Sequence, residues 1–241
     1  MENILISKET MQRILSDVKE IMKNPLTEHG IYYKHDEDNL LIGYAMIVGP
    51  SETPYQYGYY FFKISFSKNY PFSPPVVTFQ KNPYNIRFHP NFYRTGKVCL
   101  SILNTWRGEQ WTSCQTLSSI LLTMCSVMNK NPLLNEPGIT LSHRDNRPYN
   151  EIISYYNINF SLLDMLELSN IENSFKIFED EMKSCFKKNN KFIDDILENM
   201  KNKYNDESDI TKVTNVYSMN IKINLQQLIN KYNLIKDKIL I

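Results

Sequence analysis

The spacing of apolar residues predicts an amphipathic helix near the start of the chain. From Ser7 onward, apolar side chains recur at steps of three and four residues, which places them on one face of a helix. The pattern stops at Asn24 and Pro25, and proline ends a helix because it lacks the backbone N–H donor. The apolar positions of this predicted helix are Met11, Ile14, Leu15, Val18, Ile21 and Met22.

Four short strands are predicted next. Residues 30–48 carry strand-type side chains on both sides of a polar turn at 34–39, and residues 57–66 and 76–79 are rich in aromatic and β-branched side chains. Antiparallel meander connections suit such short spacings. Between the last two strands, the sequence Tyr-Pro-Phe-Ser-Pro-Pro at 70–75 predicts a rigid exposed loop that presents its aromatic side chains outward, because three prolines remove backbone donors.

A long irregular stretch, residues 83–111, follows the predicted strands. It has no clean hydrophobic period and contains both tryptophans. Loops of this length inside compact domains are commonly functional, so the chemistry of the protein is expected here. Helical spacing resumes over residues 117–128 and stops at Asn131 and Pro132.

Residues 149–241 are predicted to form a helical extension, because no glycine or proline follows Pro148. The candidate helices span about residues 149–168, 171–203 and 221–241. A polar connection, residues 204–215, is predicted between the second and third of these helices. The predicted fold class is therefore α+β: a domain of residues 1–148, with a four-stranded antiparallel meander sheet packed by helices, followed by the helical extension.

The composition is that of a globular protein. Of the 241 residues, 42% are hydrophobic and 12% are aromatic, which supports a packed core. The net charge is only +1, so bulk charge does not attract nucleic acids. No run reaches the roughly 18 apolar residues that span a bilayer, and residues 1–4 lack the basic region of a signal peptide. We expect an intracellular protein, in the cytoplasm, the nucleus or both, without a nucleic-acid or membrane partner.

The chain has four cysteines, at positions 99, 114, 125 and 185. None of them forms a Cys-x-x-Cys pair, and four are too few for a disulfide framework in a chain of this length, so neither disulfides nor a metal site are expected. An isolated cysteine is usually an inert packing residue. A reactive cysteine therefore has to be identified by the motif that surrounds it.

Such a motif surrounds Cys99. His-Pro-Asn at 89–91 is followed, eight residues after the asparagine, by Cys-Leu at 99–100, and then by Ile-Leu at 102–103 and by Trp111. Four further segments precede this motif: Gly-Pro at 49–50, Thr-Pro-Tyr at 53–55, Gly58 and the proline loop at 70–75. Their order and spacing match the signatures of a single known family. Together these motifs resemble the ubiquitin-conjugating enzyme family over about residues 7–140.

The later part of the chain resembles one branch of that family more loosely. Asn-Glu-Pro-Gly at 135–138, four additional residues before Trp111, and a helical extension are similar to the long conjugating enzymes. The resemblance implies that the partners are ubiquitin or a ubiquitin-like modifier, an activating enzyme, a ubiquitin ligase and a lysine of a substrate protein. It also implies that no metal or organic cofactor is needed, since ATP is consumed upstream by the activating enzyme.

The resemblance assigns chemical roles to four residues. Cys99 would take the C-terminal glycine of the modifier as a thioester and yield it to an amine, because a thiolate is both a good nucleophile and a good leaving group. Asn91 would support the active-site loop or the developing oxyanion, and His89 would be a structural residue of the turn. Many family members activate the lysine with an acidic residue after the second helix. Here leucines stand at about that position, and Glu136 is the nearby carboxylate.

The resemblance also implies two binding surfaces. The residues expected to bind a ligase are Phe72, Pro74, Trp111, Thr112 and Ser113. The residues expected to meet the activating enzyme, on the exposed face of the first helix, are Lys8, Arg13, Lys19 and Lys23. Charges at such a surface mainly raise the rate of association.

Two other functions remain open from the sequence. The same fold also supports non-catalytic binding modules, and a cysteine with a nearby histidine can form a hydrolase in which His89 is the general base. The conjugating hypothesis requires the Cys99 sulfur to lie in an accessible groove beside the turn at 89–91. A sulfur enclosed in the interior, far from that turn, would contradict it.

Overall fold

The structure is a computed structural model that describes residues 6–204 and 210–240. Its helices and strands confirm the predicted α+β class. The described residues form two compact units: a first unit of residues 6–47, 60–81 and 91–127, and a second unit of residues 48–59, 82–90, 128–204 and 210–240. The predicted boundary between residues 148 and 149 stays a prediction.

The predicted first helix is present as α1 (Lys8–Lys23). Ser7 caps it, because the side-chain oxygen of Ser7 accepts a hydrogen bond from the backbone N–H of Thr10 at 3.0 Å. Its buried apolar residues are Ile14, Val18 and Ile21, and its exposed ones are Met11, Leu15 and Met22. Only part of the predicted apolar face is therefore buried.

The predicted four-stranded meander is confirmed. The strands are β1 (Ile31–His35), β2 (Ile42–Val48), β3 (Tyr59–Ser65) and β4 (Val76–Phe79), in that order across the sheet. β1 pairs antiparallel with β2, and β3 pairs antiparallel with β4. The ring of Phe62 on β3 lies 5.3 Å from that of Phe79 and 5.1 Å from that of Phe92. This aromatic cluster places the segment that precedes Cys99 against the sheet.

The loop at 70–75 presents one aromatic side chain outward and buries the other. Phe72 is 67% exposed, as predicted, whereas Tyr70 is fully buried and the prediction for it is wrong. The reason is that the hydroxyl of Tyr70 has a partner inside the first unit, the carboxylate of Asp17, so its ring is buried without leaving a polar group unsatisfied. The helix predicted over 117–128 is α2 (Leu117–Val127).

The second unit contains the predicted helices of the extension. They are α3 (Asn146–Tyr156), which continues as a π-helical segment (Asn157–Asp164), then α4 (Glu179–Tyr204) and α5 (Leu225–Leu240). Across the described part of the chain, every helix is either too short or too polar to cross a bilayer.

A β-hairpin occupies part of the region predicted to be a polar connection and the start of the last helix. The strands β5 (Ile210–Thr214) and β6 (Met219–Ile223) pair antiparallel, with Ile210 opposite Ile223. In each strand the first and last residues are buried, the middle residue is half-buried, and the second and fourth residues are exposed. This alternation has a period of two, which is typical of a strand. The prediction of a polar connection over 204–215 and of a helix from about residue 221 is therefore wrong where the hairpin stands. Residues 205–209 of the predicted connection and residue 241 of the predicted helix lie outside the described residues.

Gly58, one of the signature residues, lies against the π-helical segment within the second unit. A Cβ atom at Gly58 would stand 1.9 Å from Oδ1 of Asn157, which is too close for any side chain. The amide of Asn157 in turn donates to the carbonyl of Gln56 at 2.8 Å. This position therefore requires glycine because of a close approach rather than a turn.

Candidate active site

Cys99 lies at the end of a tight loop formed by residues 91–99 in the first unit. Phe92 and Val98 form an antiparallel bridge across this loop. Gly96 turns the chain between them with φ of +92°, a conformation that glycine adopts without steric cost. Backbone pairing and one glycine thus determine the path of the chain that leads to the cysteine.

Asn91 and Cys99 are joined by two hydrogen bonds. The backbone N–H of Cys99 donates to the carbonyl of Asn91 at 2.8 Å, and the side-chain amide of Asn91 donates to the carbonyl of Cys99 at 2.6 Å. The prediction that the cysteine lies beside this asparagine is confirmed. The hydrogen bond from the amide to the carbonyl of Cys99 closes the loop at 91–99, as expected if Asn91 supports this loop. A role for the same amide in stabilising an oxyanion stays a prediction.

The sulfur of Cys99 is covered. Cys99 is only 3% exposed, and its Sγ donates to the backbone carbonyl of Thr105 at 2.7 Å. The expectation of a groove open to solvent is therefore wrong for this structure. The covering segment, residues 104–110, is itself exposed, so the sulfur lies under a surface loop. The four additional residues before Trp111 were the signal in the sequence that this loop is unusual, but they did not indicate that it covers the sulfur.

His89 lies in the second unit and is fully buried. Its ring packs against that of Tyr55, with ring centroids 5.9 Å apart. The guanidinium of Arg87 donates to the backbone carbonyls of His89 at 3.1 Å and of Pro90 at 2.6 Å. These contacts agree with a structural residue of the turn. A general base needs room to exchange protons with a substrate, and complete burial does not provide that room.

Glu136 also lies in the second unit, where its carboxylate accepts a hydrogen bond from the hydroxyl of Tyr217. The sequence did not indicate Tyr217 as a partner, because it stands in the turn between β5 and β6 and that hairpin was not predicted. The neighbouring Leu133 is buried and Leu134 is 38% exposed, so this loop presents leucine beside its one carboxylate. The role of Glu136 in lysine activation stays a prediction.

The residues predicted to bind a ligase divide into exposed and buried ones. Phe72, Thr112 and Ser113 are exposed, and Pro74 is half-buried. Trp111, in contrast, is only 7% exposed, and its indole N–H donates to the carbonyl of Pro71 at 2.6 Å. The side chain of Trp111 therefore anchors the proline loop instead of offering a contact surface. For the remaining four residues, binding of a ligase stays a prediction.

The residues predicted to meet the activating enzyme divide in a similar way. Lys8, Lys19 and Lys23 are exposed on α1. Arg13 instead forms an ion pair with Asp17 at 2.9 Å, and its other nitrogens donate to the backbone carbonyls of residues 113 and 115. Arg13 thus has a structural task within the first unit. The binding role of this helix face stays a prediction.

Comparison with known proteins agrees with the motif. The family model for ubiquitin-conjugating enzymes matches residues 13–157. Ubiquitin-conjugating enzyme E2 Z from Danio rerio is 38% identical over 169 residues, which cover 69% of this chain and 51% of that protein. The protein of the same name from Homo sapiens is 39% identical over 162 residues, which cover 66% of this chain and 45% of that protein. The dual E2 ubiquitin-conjugating enzyme/E3 ubiquitin-protein ligase BIRC6 from Homo sapiens is 37% identical over 150 residues, which cover 56% of this chain and 3% of that protein.

The matched segment includes the whole motif around Cys99. It also includes the strands β1 to β4 and helix α2, and it extends over more than half of the chain. The chain spans about half the length of the two E2 Z relatives. Because sequence motif, fold and family model agree over the same residues, the chain belongs to the ubiquitin-conjugating enzyme family.

Proposed function

We propose that this protein carries ubiquitin or a ubiquitin-like modifier as a thioester on Cys99 and transfers it to a lysine amine or to a ligase. The observation that carries the proposal is the pair of hydrogen bonds that joins Cys99 to Asn91 on the loop at 91–99. A nucleophile on a backbone-paired loop is held in one place, and a held nucleophile lowers the entropic cost of acyl transfer.

The proposed reaction has two balanced steps. First, the Cys99 thiolate attacks the carbonyl carbon of the modifier's thioester on the activating enzyme. The new S–C bond forms while the old one breaks, and the departing thiolate of the activating enzyme takes up a proton. Second, a lysine amine attacks the same carbon, an N–C bond replaces the S–C bond, and the amine proton passes to solvent or to a carboxylate. Glu136 is the carboxylate that we propose for this task.

The partners follow from this reaction. They are the modifier, an activating enzyme that consumes ATP, a ligase and a protein substrate. The reaction needs no metal and no organic cofactor, because the energy of the thioester is supplied upstream. We place it inside the cell, in the cytoplasm, the nucleus or both, where activating enzymes and ATP are present.

The test is a thioester assay. Purified protein is incubated with an activating enzyme, ATP and ubiquitin, and in parallel with a panel of ubiquitin-like modifiers and their activating enzymes. We expect a band on a non-reducing gel that disappears with reductant and is absent in Cys99→Ala. Cys114→Ala is the matched control, because Cys114 is exposed and lies in the same unit, and it should load normally. Loading that persists in Cys99→Ala would refute the assignment of the nucleophile.

One observation favours a second candidate, a non-catalytic binding module. Cys99 is only 3% exposed, as an inert core cysteine would be. A module would form no thioester with any modifier, and isothermal titration would still detect binding of a modifier to the wild type and to Cys99→Ala with equal affinity. A reducible band that depends on Cys99 would exclude this candidate.

A further inference from the structure

The segment that covers the sulfur has a defined anchor. The cover loop, residues 104–110, connects Leu103 to Trp111, and all seven of its residues are exposed. Beneath it lies Cys99, only 3% exposed. An exposed loop above a buried nucleophile is held only by specific contacts, and Thr105 makes most of them.

Thr105 binds the chain on both sides of the cysteine. Its hydroxyl oxygen accepts from the backbone N–H of Leu100 at 2.9 Å and lies 3.1 Å from the carbonyl oxygens of Val98 and Leu100, to either of which it donates. Its backbone N–H donates to the carbonyl of Leu100 at 3.2 Å. Its own carbonyl accepts from the sulfur of Cys99 at 2.7 Å. One side chain therefore fixes the position of the carbonyl that faces the sulfur.

This arrangement conflicts with acyl transfer. The nucleophile in thioester exchange is the thiolate, which has no hydrogen to donate to the carbonyl of Thr105. An acyl carbon must also approach the sulfur to about 3 to 3.5 Å before attack, and the carbonyl oxygen of Thr105 already lies closer to the sulfur than that. The cover loop has to lift before the proposed reaction can begin.

We propose that Thr105 is a positioning residue: its hydroxyl fastens the cover loop onto residues 98–100, and its carbonyl holds the Cys99 thiol in a closed, unreactive state. The part of this proposal that concerns transfer rests on the function proposed above. The part that concerns reactivity of the thiol does not, because any small electrophile meets the same cover.

The experiment measures alkylation of each cysteine in the full chain by iodoacetamide, with peptide mass spectrometry at successive times. Thr105→Val keeps the shape of the side chain and removes the hydroxyl. We expect Cys99 in this variant to react about tenfold faster, the factor that corresponds to roughly 1.4 kcal/mol, a typical net loss for one to two hydrogen bonds. Thr105→Ser keeps the hydroxyl and should restore the wild-type rate.

The chain supplies its own controls. Cys114 is exposed and reports the intrinsic rate of the reagent, whereas Cys185 is buried in the second unit and reports unfolding. Thr123→Val is the matched variant, because the hydroxyl of Thr123 donates to a backbone carbonyl within α2 at 2.8 Å. It should leave the rate at Cys99 unchanged.

Three outcomes would overturn the proposal. They are a wild-type rate at Cys99 in Thr105→Val, an equal increase in Thr123→Val, and failure of Thr105→Ser to restore the slow rate while Cys185 stays protected. If Cys99 alkylates faster in Thr105→Val but no modifier ever forms a thioester, the cover is supported and the conjugating function fails. The two proposals are thus tested separately.

Discussion

The carboxylate of Glu151 is predicted to hold three elements of the second unit together. Its side chain is 5% exposed and pairs with Arg147 at 3.1 Å, with Lys203 of α4 at 2.8 Å and with Lys212 of β5 at 2.6 Å. Burial alone would raise the pKa of this carboxyl, but hydrogen bonds from Lys203, Lys212 and Arg147 outweigh it and lower the pKa from 4.5 to about 2. The ionised form is therefore favoured by folding.

The perturbation is Glu151→Gln, which keeps the shape of the side chain and removes its charge. The full shift in pKa would correspond to roughly 3 kcal/mol. Because the side chains of Arg147 and Lys203 are 82% and 45% exposed, solvent screens part of the attraction. We expect Glu151→Gln to lower the free energy of unfolding at pH 7 by about 2 kcal/mol.

The pH dependence gives this prediction its sign. A carboxyl whose pKa is lowered by folding stabilises the folded state above its ordinary pKa, and that contribution is lost as the pH falls toward the folded value. The difference between wild type and Glu151→Gln should therefore be constant above about pH 6 and decline between about pH 5 and pH 2. Urea unfolding followed by far-ultraviolet circular dichroism, which reports on the total helical content and so includes α3 and α4, measures this difference at each pH.

The control is Glu198→Gln, which removes an exposed carboxylate from α4. A surface change of this kind is expected to alter the free energy of unfolding by at most about 0.5 kcal/mol. If Glu151→Gln is no more destabilising than Glu198→Gln, or if its effect does not change between pH 7 and pH 3, the reasoning about the three cations is refuted.

Two further variants probe transfer from Cys99. Asn91→Ala removes the hydrogen bond that the side-chain amide donates to the carbonyl of Cys99. We expect this variant to discharge a loaded thioester onto free lysine about tenfold more slowly, or slower still, while loading is largely kept. Equal loading and discharge rates in wild type and variant, followed on non-reducing gels, would show that the amide is dispensable. Glu136→Ala should also keep loading and slow lysine discharge, on the order of tenfold, since a carboxylate that accepts a proton would be lost. Discharge that is unchanged in Glu136→Ala across a pH series would remove Glu136 from the mechanism.

The sequence predicted those parts of the fold that depend on local pattern. α1 was predicted from the three- and four-residue spacing of its apolar residues and from Pro25, and the four strands were predicted from aromatic and β-branched content. The hairpin of β5 and β6 was missed although its burial has period two. β6 reads Met-Asn-Ile-Lys-Ile and does alternate, but it is only five residues long and lies next to the apolar pattern of α5. β5 does not alternate in hydrophobicity, because Lys212 is half-buried and Val213 is exposed.

The sequence also predicted which residues surround the nucleophile but not what they contact. The motif at 89–91 and 99–100 places Asn91 near Cys99, and the structure joins them by two hydrogen bonds. The burial of Trp111, the hydrogen bonds of Arg13 to the carbonyls of residues 113 and 115, and the contact of Tyr217 with Glu136 all depend on partners far away in the sequence. No periodicity encodes such pairs, because tertiary packing alone brings them together.

A buried nucleophile is compatible with acyl transfer if the cost of uncovering it is small. The contacts of Thr105 with residues 98–100 are hydrogen bonds, and each contributes about 0.5 to 1.5 kcal/mol net. Lifting the cover loop would then cost a few kcal/mol, which leaves the open state populated at about one part in a hundred to one part in ten thousand. A partner that prefers the open loop by the same few kcal/mol would make the open and closed states equally populated, and about twice that preference would reverse the ratio. The closed sulfur therefore favours a transfer step that begins only after a partner has bound and opened the loop. It also predicts that the alkylation rate and the rate of loading by the activating enzyme will differ in how strongly they depend on Thr105.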